Sequence, residues 1–205
     1  MITRKFGKYQ PSILIVGHQK GIMKLYGVWE LYNKKTPEKF YDYSEAYLDS
    51  AKRLCQVLIR STNKASFVRG SVVQYLTFHS IELFLKGSII AKSPTEKLSH
   101  DLDFYYKRYN KLYPAKKYRI DFPFRTNFEG LNPEQIEEAR KQIPPQDQAH
   151  KYPTDKNGKE WSYLYAFEPI SFLKIIEKLE LDFNRIRDEI EMANKQIQPT
   201  RNTRG

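Results

Sequence analysis

Between residues 67 and 92 apolar side chains point in nearly every direction around a helical wheel: Val73, Leu76, Ile81, Leu83, Phe84, Leu85, Ile89 and Ile90. A helix that is apolar all round belongs at the centre of a bundle. One narrow stripe interrupts it, because Tyr75, His79, Glu82 and Lys86 fall within about 60° of one another by helix geometry. Upstream, Tyr43, Tyr47, Leu54 and Leu58 recur at helical spacing and predict a helix over 42–61, with Asp42 or Ser44 as its cap. Downstream, Ser99 is the predicted N-cap of a helix ending at Leu112, with Asp101 and Asp103 in its first turn. Asn132 and Pro133 open a short helix that Pro144 and Pro145 stop. From Pro169 onward, Phe172, Ile176, Leu179, Phe183, Ile186, Ile190, Ala193 and Ile197 alternate four- and three-residue steps, a sustained heptad seam.

The remaining segments read as connections. Residues 1–40 form an N-terminal extension whose "SILIVG" and "KLYGVWELY" are short strands or an irregular wrap. "YPAKKYRIDFPFRTNFEG" is irregular, "HKYPTDKNGKEWSYLY" is a hairpin-like excursion turning at Asn157-Gly158, and 198–205 is a disordered tail. The expectation is an all-α fold: a bundle of four to five helices over residues 41–197. The last helix, roughly 43 Å long at its rise per residue, exceeds what a small bundle needs. Two outcomes follow, a homodimer through helix 169–197 or a long core helix in a monomer.

Composition changes this picture in three ways. The single cysteine, Cys55, excludes an intrachain disulfide framework and a cysteine zinc cluster. No apolar run approaches the roughly 20 residues that span a bilayer, and "SILIVG" is shorter than a secretory core of about 7 residues. A soluble protein of the reducing cytoplasm is expected, with no membrane partner. The net charge of +11 is unevenly placed. Residues 1–130 carry 23 Lys and Arg against 11 Asp and Glu, a net of +12, whereas 131–197 carry 10 against 13, a net of −3. That asymmetry suits a polyanion, nucleic acid first. P-loop, dinucleotide-binding, zincin and nucleophile-elbow motifs are missing, and His18, His79, His100 and His150 have no metal-ligand spacing, so neither metal nor cofactor is expected.

The polar stripe is the sharpest chemical feature. Glu82 precedes Lys86 by four residues, the favoured order for a helical ion pair. Buried, such a pair is costly unless other groups complete its network, so the stripe either fixes register against a neighbouring helix or lines a cleft. His100 beside Asp101 either anchors a helix start or contacts a ligand, and His150 faces a cleft in the second case. The stretch "FYYKRYNKLYPAKKYR" interleaves Lys107, Arg108, Lys111, Lys116, Lys117 and Arg119 with Tyr105, Tyr106, Tyr109, Tyr113 and Tyr118. Cations on phosphates with tyrosines stacked on bases would bind single-stranded RNA, while tyrosines packed inward would make the same pattern structural.

The segments "IELFLK" and "SHDL" resemble the opening of a HEPN domain, with Glu82, Leu83, Leu85, Lys86, His100, Asp101 and Leu102 as the matching residues. "HKYPTDKNGKEW" is similar to a segment preceding the last helix in some members, and the likeness spans about residues 42 to 195. The resemblance implies a HEPN-like helical bundle that often dimerises. It further implies RNA cleavage, nucleotide binding, or a role in antiviral defence or toxin–antitoxin systems. Ribonuclease members carry an Arg followed by a His after four to six residues, and this chain departs from that pattern. Arg69 and His79 have nine residues between them, as do Arg140 and His150. Three functions follow. The first is a non-catalytic or unconventional binder of RNA or a nucleotide, using Glu82, Lys86, His100, Asp101, Tyr109 and the cations of 107–119. The second is a metal-independent RNase assembled from Arg69, His79 and His150, within one chain or across a dimer. The third is a protein–protein interaction module.

Overall fold

A computed structural model describes residues 27–61, 66–121, 130, 132–142, 154, 157–158, 160 and 166–196, with the side chains of 139–142 outside the description. The chain divides into two compact units, Met1–Asn33 and Lys34–Gly205. In the first unit the described element is a 3-10 turn over Val28–Leu31, where short strands or an irregular wrap were expected. "SILIVG", Pro144-Pro145, His18, His150, Ile197 and the tail lie outside the described residues, as does most of the predicted excursion. What is described there agrees with a turn: Thr154 and Glu160 form one antiparallel bridge, and Gly158 between them has φ +79°.

The second unit is all-α. Its helices are α1 (Thr36–Arg60), α2 (Phe67–Lys92), α3 (Leu102–Leu112), α4 (Pro133–Gln142) and α5 (Pro169–Gln196), with a 3-10 turn over Lys116–Tyr118. Local chemistry sets the boundaries. Helix α1 starts six residues before its predicted start, because Pro37 suits a first turn and Glu38 accepts from the Lys35 N–H at 3.0 Å. Asp42 therefore pairs with Lys34 at 2.5 Å inside the helix, and Ser44 is buried; neither is a cap. Ser66 caps α2 by accepting from the Arg69 N–H. Asp101, not Ser99, caps α3, accepting from the Phe104 N–H at 3.1 Å. Asn132 and Gln135 exchange reciprocal capping bonds at the start of α4.

Helix α2 is the centre, packed by α1, α3 and α5. Val73, Ile81, Phe84, Leu85 and Ile89 are buried along it, and Phe84 stacks on Phe183 of α5 with ring centroids 4.0 Å apart. Helix α5 contributes Phe172, Ile176, Leu179, Phe183, Ile186 and Ile190, all buried. The heptad seam is thus closed within the chain by α1 and α2. Those six side chains sit in one chain's core, as a long core helix requires, while Ala193 is half-buried and Ile197 lies outside the described residues. On α1 the buried series is Tyr41, Ser44, Leu48, Ala51, Cys55 and Leu58, whereas the predicted Tyr43 is 52% exposed.

Small residues let α1 and α2 approach closely. Ser44 Oγ donates to the Ser80 carbonyl at 2.8 Å, and Ser80 Oγ donates back to the Ser44 carbonyl at 2.7 Å. A Cβ at Gly87 would meet Phe40 Cβ and Tyr41 Cε1 at 3.0 Å. Gly87→Val is therefore predicted to lower unfolding free energy by about 1–3 kcal/mol through overpacking, despite valine's better helix propensity. Urea denaturation checks this, and an unchanged midpoint would show that the two helices are not held that tightly.

Candidate functional site

The polar stripe of α2 converges on one carboxylate. Glu82 Oε1 lies 2.5 Å from Lys86 Nζ and 3.2 Å from His100 Nδ1, and its Oε2 lies 3.5 Å from His79 Nδ1. Three side chains from two segments therefore meet at a side chain that is itself buried. Helix periodicity brings His79 and Lys86 to Glu82, three residues before and four after it. The loop between α2 and α3 brings His100, held because Asp101 begins the next helix and Tyr105 ties the loop back. The Tyr105 hydroxyl donates to the Ser99 carbonyl at 2.5 Å and also receives the Ser99 N–H.

Aromatic rings frame this network. The rings of Tyr47 on α1 and His79 stand nearly perpendicular, at 85°, with centroids 4.5 Å apart, and Tyr75 stacks near-parallel to His79 with centroids 5.9 Å apart. Lys86 Nζ sits 5.2 Å from the centre of the buried Tyr105 ring, so the ammonium has a carboxylate on one side and a π face on another. Burial by itself pushes the Glu82 carboxyl up, but hydrogen bonds from His79 and Lys86 and the Lys86 charge outweigh it. The carboxyl is held at about 2, against an ordinary 4.5. Glu82 is therefore an anion at neutral pH and only accepts.

Exposure grades across the cluster. Glu82 and Lys86 side chains are 9% and 8% exposed, His79 is 27% and His100 is 87%. A neutralised buried pair thus underlies two imidazoles that reach solvent to different degrees. Asp101 stands next to His100 but acts as the α3 cap. Among the described residues no three His, Cys, Asp or Glu side chains are grouped as metal ligands. Nor is any helix among them long and apolar enough to cross a membrane.

The tyrosine–cation stretch divides differently from the RNA-stacking expectation. Tyr105 and Tyr109 are fully buried and Tyr113 nearly so. Tyr109 donates to the Tyr118 carbonyl at 2.7 Å and Tyr113 to the Ser88 carbonyl at 2.8 Å. Burial pushes both phenols above their ordinary pKa. Tyr109 as a base-stacking residue is accordingly corrected: its face is inside the bundle because α3 turns 105, 109 and 113 toward α2. Of the cations, Arg108 makes a two-pronged bond to Glu96 at 2.9 and 2.7 Å, and Lys117 pairs with Glu189 at 2.7 Å. Lys107, Lys111, Lys116 and Arg119 are exposed.

Of the predicted catalytic trio, Arg69 and His79 both lie on α2. Arg69 is ten residues before His79, roughly 15 Å along the helix axis, and His150 lies outside the described residues. His79 and His100 share Glu82. No protein-family model, curated protein or solved structure matches this chain.

Removing one partner of the buried pair leaves the other charge uncompensated. Lys86→Met is predicted to lower stability by about 3–5 kcal/mol, while Glu82→Leu with Lys86→Met together costs much less. The Glu82 carboxyl is depressed in the folded state, so its stabilisation is present above its unfolded value of 4.5 and fades as pH falls toward about 2. Denaturant midpoints across that acid range check both statements; equal losses for the single and double variants would contradict the pairing.

Proposed function

We propose that this chain is a HEPN-like protein that binds RNA or a nucleotide at the His79–Glu82–Lys86–His100 cluster, in a cytoplasmic defence or toxin-type setting. The observation that supports the reading is the convergence of two imidazoles, from α2 and from the loop after it, on one buried carboxylate. The buried carboxylate needs partners beyond Lys86, but a histidine 87% exposed adds little to packing and leaves its outer ring edge to solvent. The excess of 12 positive charges over residues 1–130 supplies long-range attraction for a polyanion, with Lys107, Lys111, Lys116 and Arg119 as outer phosphate contacts.

A second reading, metal-independent RNA cleavage, is favoured by the same pair of imidazoles. One nitrogen base and one nitrogen acid near a phosphodiester are what such chemistry needs. In that reading His79 and His100 replace the trio of Arg69, His79 and His150.

Filter binding of a single-stranded RNA across a salt series tests the first reading. Binding is expected at about 50 mM salt, weakening steeply as salt rises. His79→Ala with His100→Ala is expected to reduce affinity at least tenfold. Gel analysis of the same RNA, incubated without metal, reads the second. No binding at low salt, or full binding by the double variant, would overturn the assignment of this site.

A further inference from the structure

The hydrogen-bond directions inside the cluster narrow the ligand class beyond "RNA or nucleotide". Glu82 is ionised and accepts, so a neutral imidazole whose Nδ1 faces it must place its proton on that nitrogen. The Nε2 of the same ring then carries a lone pair and is an acceptor. A phosphate is also an acceptor, so the neutral rings offer it nothing. One further proton on each ring turns Nε2 into a donor, and the Nδ1–H bond to Glu82 survives the change. The charge arithmetic runs the same way. Glu82 and Lys86 cancel, leaving the cluster neutral while both rings are neutral and +2 when both are protonated.

We infer that the cluster is a proton-coupled receptor for a phosphate monoester dianion, such as the terminal phosphate of a nucleotide or of an RNA end. The inference rests on the reading that the ligand binds at this cluster. A doubly protonated pair carries two charges, which match a terminal phosphate better than the single charge of an internal phosphodiester. The surroundings leave the imidazoles as the groups that respond to pH. Facing His79 are Tyr47 from α1 and Tyr75 and Glu82 from α2. Around His100 stand Glu82, its neighbour Asp101, and, across Lys86, Tyr105 of α3. Glu82 titrates far below neutrality. Imidazole, by contrast, changes charge in the physiological range.

Isothermal titration calorimetry of the full chain with adenosine 5′-monophosphate, in two buffers of different ionisation enthalpy, tests this. Near pH 7 the complex is expected to take up between one and two protons. Affinity is expected to fall at least tenfold between about pH 6.5 and about pH 8. A dinucleoside monophosphate, which has only an internal phosphodiester, is expected to bind at least tenfold more weakly. Inorganic phosphate serves as a control for headgroup recognition without a base. His100→Gln, whose amide can still donate to Glu82, is expected to halve the proton uptake. Monophosphate binding with no proton uptake, or equal affinity for the dinucleotide, would overturn the inference. If long RNA still binds and the double histidine variant still abolishes it, the binding site stands and only the monoester assignment fails. If neither RNA nor nucleotide binds, both fail.

Discussion

An ion pair inside a hydrophobic helix is the constraint on which this structure turns. Glu82 and Lys86 sit in the most apolar stretch of the chain, where stripping two ions of water costs several kcal/mol each. The cost is offset only if the carboxylate's oxygens are all engaged. Lys86 takes one side of Oε1, His100 the other, and His79 approaches Oε2. The arrangement explains why α3 begins where it does. Asp101 caps the helix and Tyr105 fastens the Ser99 loop, so that His100 is delivered over Glu82.

The bundle around that pair is built from ordinary parts placed to bury α2. Helix α1 approaches on a line of small residues, Ser44, Ala51 and Cys55 on its own side and Ser80 and Gly87 on the other. Helix α5 packs against both α1 and α2 with a heptad series whose Phe183 stacks flat on Phe84. Helix α3 adds three buried tyrosines whose hydroxyls reach backbone carbonyls, so that each large ring is buried without an unmet polar end. Of the described cations, Lys107, Lys111, Lys116 and Arg119 stay in water.

Much of the architecture was legible because hydrophobic periodicity is a direct image of burial. The bounds of α2 and the buried series of α5 followed from it, while the cap of α4 was legible in Asn132 and Pro133. What periodicity did not show was small-residue packing. Ser44, Ala51 and Cys55 form the inner face of α1, yet the bulkier Tyr43 drew the eye to the wrong face. The stripe on α2 was visible as a spacing, but its partners were not. Tyr47 and Tyr105 come from other helices, and no local rule pairs them with His79 or Lys86. The tyrosine–cation stretch shows the same limit from the other side. Alternation of rings and charges is equally compatible with stacking on bases and with a buried face, and only the position of α2 decides between them.

The account stands or falls on the state of the two imidazoles. Long-range proton–nitrogen correlation spectra of the histidine rings, recorded on the neutral forms, read the tautomer directly. Both His79 and His100 are predicted to carry their proton on Nδ1, the less common form in water, and to lose that preference in Glu82→Gln. Rings protonated on Nε2 in the wild-type chain would mean that Glu82 does not hold them, and the site built on it would not exist.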